Sequence, residues 1–421
     1  MNSAISVVDQ LLLSGLNFLI GVALIRFAAK ETYGLYSQLM GAGLLSTTLL
    51  GALVCTALTT LAMRLDEHAR RQMVARVARL QWLIAGVLAV VAGVAMGILD
   101  EVLDLHENPF LLAGAFALWI WALAAREYCR TALFIEGVPE KVASVDFVFV
   151  VLTLLGGVGL YWLERVTVTE IIFVMALSNA LAAALPSVGL VRRLEPNTSR
   201  QAFVADARAL WALSRWAVVG ALLGWMGNNS YLYLTGGLVG VAALADMNAA
   251  RLVLTPIVVI GTAWAKLAQP AMGQLIAQSN WRGVRQFMLK SLLAMEAFAV
   301  VYILAMWLFF PWLSAHFLGE KYQGIMGLVL MWAAYFAINA ARSMGTILLT
   351  SFGAFRALFW QGAVSLVVLL ALSWVLIPRY GVWGALAAMV AVELLELLTN
   401  HLLLIPRVKR SHLAAEVGSA A

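Results

Sequence analysis

The sequence predicts an all-α polytopic membrane protein with twelve transmembrane helices. Three observations predict it. Of 421 residues, 63% are hydrophobic and only 12% charged, where a soluble domain carries about 25% charged residues. Twelve apolar stretches reach the ~20 residues that cross a ~30 Å hydrocarbon core. Basic residues crowd into alternate loops.

The first stretch, 5–27, contains Asp9, Gln10 and Asn17 and has no basic segment before it, so it reads as a span and not as a cleaved leader. The second, 35–62, is long enough to cross with tilt. The third, 80–99, follows a basic amphipathic connector at 64–79. Spans at 110–135, 142–163 and 170–191 complete a first group of six, and the acidic loop 100–109 (Asp100, Glu101, Asp104, Glu107) precedes the fourth. The seventh, 210–234, is thinned by Gly220, Gly224 and Gly227. The eighth, 240–265, is interrupted by Asp246, Asn248, Arg251 and Pro256; Pro256 removes the amide that would bond the Leu252 carbonyl and so favours a bend. Spans at 291–315, 324–350, 358–377 and 382–405 follow.

Charge placement sets orientation. One set of loops and termini holds 18 of the 28 basic residues, among them Arg64, Arg70, Arg71, Arg76, Arg79, Arg192, Arg193, Arg282, Arg285 and Arg407. The opposite set holds Arg26, Lys30, Arg165, Lys321 and Arg379. The positive-inside rule places both termini in the cytoplasm. The net charge of +6 is explained by these loops; no basic stripe with interleaved aromatics points to nucleic acid. Cys55 and Cys129 lie within spans without CxxC spacing or a histidine cluster, so neither a metal nor a disulfide is expected.

The chain repeats coarsely. Arg126 is followed eleven residues later by Gly137, and Arg342 eleven residues later by Gly353; the connector 64–79 has a counterpart at 274–290. Six spans return the chain to its starting side, so the repeat is parallel, about an axis along the membrane normal. The expected organisation is an N-terminal lobe at 1–195, a cytoplasmic linker at 196–209 and a C-terminal lobe at 210–421.

Five arginines fall inside spans: Arg126, Arg130, Arg215, Arg251 and Arg342. Each costs ~2.5–3.5 kcal/mol near a helix centre, roughly 12–18 kcal/mol together before snorkelling and pairing offset it. Such charge implies a polar cavity that admits an anion. Helix rise places Arg130 and Arg215 ~8 Å from the cytoplasmic edge, Arg126 and Arg342 ~14 Å deep, and Arg251 near the midplane. Arg130 and Arg215 are shallow enough to snorkel instead, and Arg126 can pair with Glu127. Guanidinium is suited to phosphate because it stays charged and donates in a fork. Asp9, Asp246 and Glu296 are candidates for a coupling ion or for charge pairing, and interhelical bonding is the alternative. Glu393 and Glu396 share a helix face without an assigned role. No phosphate-binding GxxxxGK[ST], no HExxH and no Asp-x-Asp occurs, and no outer loop exceeds about ten residues; the chain reads as a carrier and not an enzyme, with no cofactor.

Several segments resemble the polysaccharide and O-antigen flippases of the multidrug/oligosaccharidyl-lipid/polysaccharide superfamily. The stretch Phe27 to Tyr36 is similar to their first-loop signature, with Ala29-Lys30 in place of the usual Gly-Pro. Leu238 to Leu252 resembles the start of their eighth helix. Gln269-Pro270 followed by Trp281-Arg282-Gly283, Phe317 to Tyr322, and Ile377 to Ala385 resemble later patterns in the same order. The resemblance implies two six-helix lobes in a V around a central cavity, alternating access, and an undecaprenyl-pyrophosphate-linked oligosaccharide moved from the cytoplasmic to the periplasmic leaflet of a bacterial inner membrane. Membrane lipids, a polysaccharide polymerase and a chain-length regulator are the implied partners. Alternatives are a peptidoglycan-precursor flippase, whose branch typically has fourteen helices, and a cation-coupled multidrug exporter, which favours acidic cavity residues.

Overall fold

The computed structural model describes residues 2–103, 108–193 and 200–410, with side chains of 2–11, 99–103 and 317 outside that description. Among these residues the chain is helical throughout, without a strand. That is what a lipid solvent demands, since a helix satisfies its backbone groups within one segment.

The chain divides into two compact units, Met1–Trp225 and Met226–Ala421. The first holds α1 (Asn2–Phe27), α2 (Lys30–Leu50), α3 (Thr56–Ala62), α4 (Glu67–Leu103), α5 (Pro109–Ile135), α6 (Pro139–Trp162), α7 (Val168–Arg192) and most of α8 (Arg200–Leu238). A π-helical turn at Gly51–Cys55 joins α2 to α3 in one rod. The second unit holds the end of α8, then α9 (Val241–Val253), α10 (Thr255–Ala277), α11 (Trp281–Leu313), α12 (Met326–Ser351), α13 (Phe355–Tyr380) and α14 (Val382–Leu398). The last runs on through a π-helical turn at Thr399–Leu404 to residue 410.

Helix starts follow local chemistry. Asn108 accepts a hydrogen bond from the Leu111 amide at 3.2 Å with Pro109 in the first turn, and Asn280 caps α11 by accepting from Gly283 at 2.9 Å. Gly137 and Gly353, paired by the sequence, close two turns of the same build. Both have positive φ, 74° and 71°, and each turn has an i→i−3 bond followed by an i→i−5 bond: Gly137 to Phe134 and Val138 to Leu133, Gly353 to Thr350 and Ala354 to Leu349.

Both basic connectors are helical. Residues 67–79 are the first turns of α4, and 281–290 the first turns of α11. Residues 200–209, expected as linker, likewise open α8, while 196–199 lie outside the described residues. Arg76 fastens this part of α8 to α4 through Asp206 at 2.7 Å.

Nine helices among the described residues are long and apolar enough to cross a membrane, and the bent pair α9–α10 makes ten. The sequence expectation was twelve. Of α1, only the shorter apolar stretch Leu12–Phe27 enters the described side chains. The middle of α12 carries Tyr335, Asn339, Arg342 and Thr346, which dilute its apolar character.

The core of the first unit forms around α5, which packs mainly on α4 and α7, burying Tyr128 against Val74 and Cys129 against Ala183, and sets Trp119 against Gly43 of α2. In the second unit α14 packs on α13 so closely that a Cβ added at Gly384 would lie 2.1 Å from the Leu376 carbonyl oxygen.

Candidate functional site

In the first unit, α5 and α6 assemble a four-charge cluster. Arg126 and Arg130 stand one turn apart on α5, and the carboxylate of Glu127 lies between them. Arg126 Nη2 donates to Glu127 Oε1 at 3.0 Å, and Arg130 Nη1 to Glu127 Oε2 at 2.8 Å. Asp146 of α6, fully buried, supplies the second carboxylate: its Oδ2 is 2.7 Å from Arg130 Nε and its Oδ1 3.9 Å from Arg126 Nη1. Arg126 is 5% exposed, and its guanidinium sits 3.8 Å from the centre of the Phe149 ring. Two positive and two negative charges cancel. The Arg126 Nε and Nη1 hydrogens still have no hydrogen-bond acceptor among the described residues.

In the second unit, α9, α12 and α14 make a polar seam. Trp332, Tyr335, Asn339 and Arg342 follow one another at i, i+3, i+7 and i+10, so they share one face of α12. Arg342 Nε is 2.5 Å from Glu393 Oε2, and its Nη1 is 3.2 Å from Glu396 Oε2. Asn339 Nδ2 donates to Glu393 Oε1 at 3.1 Å. This gives Glu393 and Glu396, without a role in the sequence, a clear one: they bracket Arg342 from α14.

Arg251 sits at the other end of the seam. Its Nη1 donates to the Tyr231 hydroxyl at 2.7 Å, which donates to Asn248 Oδ1 at 3.0 Å. Its guanidinium lies 5.4 Å from the Trp332 ring centre and 5.8 Å from that of Tyr231, within cation–π range. Trp332 is fixed in turn by its indole N–H on the Met247 carbonyl, 2.9 Å. Just beyond Arg251 the chain bends by 58° between α9 and α10. The Leu252 carbonyl freed by Pro256 is met by the Thr255 hydroxyl at 2.6 Å.

The remaining candidates fall elsewhere. Arg215 is exposed on α8, 6.0 Å from the ring centre of its neighbour Trp216. Asp246 is half-buried on α9, about 140° around the helix from Arg251 by its five-residue spacing. Glu296 is half-buried midway along α11. The Asp9 side chain lies outside the described residues.

Matching depth made Arg126 and Arg342 look like equivalent partners, yet their counterions come from different places: α5 itself and α6 for Arg126, α14 for Arg342. Neither is a bare cation. Sequence reasoning passed over Asp146, Tyr231 and Trp332. A signal for Asp146 existed, since seven residues from the start of α6 put it ~10 Å deep, level with Arg130.

No protein-family model matches the sequence, and no curated protein matches it by sequence. Solved structures match the fold over nearly the whole chain. An inward-facing multidrug-resistance transporter of the MATE family, within the MOP superfamily, gives a TM-score of 0.74 at 13% identity over 95% of each chain. The lipid II flippase MurJ, in an inward closed conformation, gives 0.71 at 9% identity over 95% of this chain and 86% of that one. A MOP-superfamily transporter from Pyrococcus furiosus, described as having a binding pocket of reversed polarity, gives 0.58 at 12% identity over 97% and 92%. The chain therefore has the fold of these membrane transporters; the likeness reaches the superfamily's architecture and does not distinguish its polysaccharide branch.

Proposed function

We propose that the chain is a flippase that carries an undecaprenyl-pyrophosphate-linked oligosaccharide from the cytoplasmic to the periplasmic leaflet of a bacterial inner membrane, by alternating access, for O-antigen or exopolysaccharide synthesis. It acts as a carrier of twelve spans with both termini cytoplasmic, upstream of a polymerase and a chain-length regulator. The observation that carries this reading is Arg126. It is buried within a span, and two of its nitrogens, Nε and Nη1, make no hydrogen bond among the described residues, the nearest carboxylate oxygen to Nη1 being that of Asp146 at 3.9 Å. An unmet donor in a lipid-surrounded interior costs several kcal/mol, and a pyrophosphate oxygen pair is an acceptor that a guanidinium grips in a fork. Arg251, on its aromatic shelf beside the α9–α10 bend, and Arg342 are the further anion contacts of this reading, with Arg130 and Arg215 as shallower ones by their position in the sequence. The likeness in fold to a lipid II flippase supports a lipid-linked pyrophosphate as cargo.

The test is genetic. Arg126→Ala, Arg251→Ala and Arg342→Ala, each expressed at the normal level, are expected to abolish surface polysaccharide and to leave lipid-linked sugar in the inner leaflet. Intact surface polysaccharide in all three would end the arginine mechanism.

A cation-coupled exporter is the second reading, favoured by the half-buried carboxylate of Glu296 and by the MATE-type fold. It predicts that deletion leaves surface glycan intact and sensitises cells to cationic drugs.

A further inference from the structure

One end of the second unit gathers cations around an apolar hollow. The first turns of α11 bring Trp281 and Arg285, the last turns of α12 bring Leu348 and Phe352, and the continuation of α14 brings His401 and Lys409; the pocket between them measures about 510 Å³. That size falls within the range of ligand sites, ~300–1,000 Å³. Trp281 stacks on Phe352 with ring centres 5.8 Å apart and an interplanar angle of 17°. Lys409 Nζ stands 5.1 Å over the Trp281 ring, within cation–π range. His401 approaches α12 where Gly345 has no side chain; a Cβ there would lie 3.3 Å from His401 Nε2.

The wall has two characters. At the rim are Arg285 and Lys409, both exposed, and among the described residues lining the pocket none is acidic. Below the rim the lining is apolar, and the seven helical steps from Arg285 to Leu292 carry it ~10 Å along α11. A soluble anion uses only the rim, and a neutral lipid gains nothing from the cations. A molecule with a phosphate head and a hydrocarbon body uses both. This end of the unit also carries Arg282, Arg356 and Arg407, and the positive-inside rule assigns it to the cytoplasmic face, where anionic lipids meet basic pockets between helices.

We infer that this pocket is a binding site for an anionic membrane phospholipid, its phosphodiester on Arg285 and Lys409 and its upper chain carbons against Leu348 and the α11 wall. The site is separate from the arginine clusters, and the inference stands whether or not the cargo is a lipid-linked pyrophosphate.

The experiment is a lipid titration of the purified full chain by native mass spectrometry, with phosphatidylglycerol and phosphatidylcholine of the same acyl chains. Phosphatidylglycerol is expected to bind more tightly. Arg285→Gln/Lys409→Gln is expected to weaken it about tenfold or more, with phosphatidylcholine unchanged. Leu348→Trp, which fills the apolar body and keeps both cations, should weaken it comparably; if that variant fails to fold, Met344→Phe narrows the same wall. Arg282→Gln/Arg356→Gln removes the same charge outside the pocket and should change affinity less than twofold. Equal loss in that control, no effect from filling the body, or displacement of the lipid by millimolar inorganic phosphate would each overturn the inference.

Discussion

At the scale of single residues, the first unit solves the problem of charge in a span by exact cancellation within one cluster. Arg126 and Arg130 face Glu127 and Asp146, and Asp146 is wholly buried. Removing one partner of a buried pair leaves an uncompensated charge, a loss of about 3–5 kcal/mol, whereas removing both is far milder. Asp146→Asn is therefore expected to lower the thermal stability of the detergent-solubilised protein sharply, and Arg130→Gln/Asp146→Asn to recover much of it. Equal melting temperatures for the single variant and the parent would show that the cluster is not coupled. The arginines were legible in the sequence because a guanidinium in an apolar run is an exception that demands a cause. Asp146 was not, because one acidic residue a few positions inside a span reads as an interfacial group until its depth is compared with that of Arg130. Glu393 and Glu396 were visible as a shared face, but their meaning needed the adjacency of α12 and α14, a long-range fact no local pattern carries.

At the scale of elements, most of the fold follows from apolar length and turn chemistry. Spans, the two glycine turns and the bend near Pro256 can be read directly, while the fusion of the basic connectors with α4 and α11 cannot, since a charged amphipathic stretch beside a span has the same pattern whether or not the helix is continuous. The bend makes a sharp prediction. Thr255 meets the Leu252 carbonyl that Pro256, lacking an amide, leaves without its α-helical donor. Thr255→Val should thus cost about 1–3 kcal/mol in the parent and much less in a Pro256→Ala background, where the alanine amide takes over the bond. A double-mutant cycle of thermal melts checks this, and strict additivity would contradict it. The contact between α13 and α14 is equally exposed to test. Gly384→Ala forces a methyl into the Leu376 carbonyl at 2.1 Å, so backbone must move, and a loss of about 2 kcal/mol or more is expected from overpacking. A normal melt for this variant would mean the two helices are not so close.

At the scale of the whole molecule, the fold is shared with a multidrug-resistance transporter and a lipid II flippase, and the cargo proposed for this chain rests on charge. Long apolar helices among the described residues support the membrane reading, but they are silent on what crosses. Under the proposed reading the arginines take an anion, and under the cation-coupled alternative Glu296→Gln should lower transport driven by a cation gradient while leaving passive exchange of the cargo intact, measured in vesicles with and without the gradient. Flippase activity is measured in proteoliposomes loaded with a polyprenyl-pyrophosphate-linked oligosaccharide, following the fraction that changes leaflet with time. The parent is expected to speed the exchange well above protein-free vesicles, and Arg126→Ala, folded and monodisperse, to slow it about tenfold or more. Exchange no faster than in protein-free vesicles, with a cationic dye transported instead, would contradict the proposed flippase function.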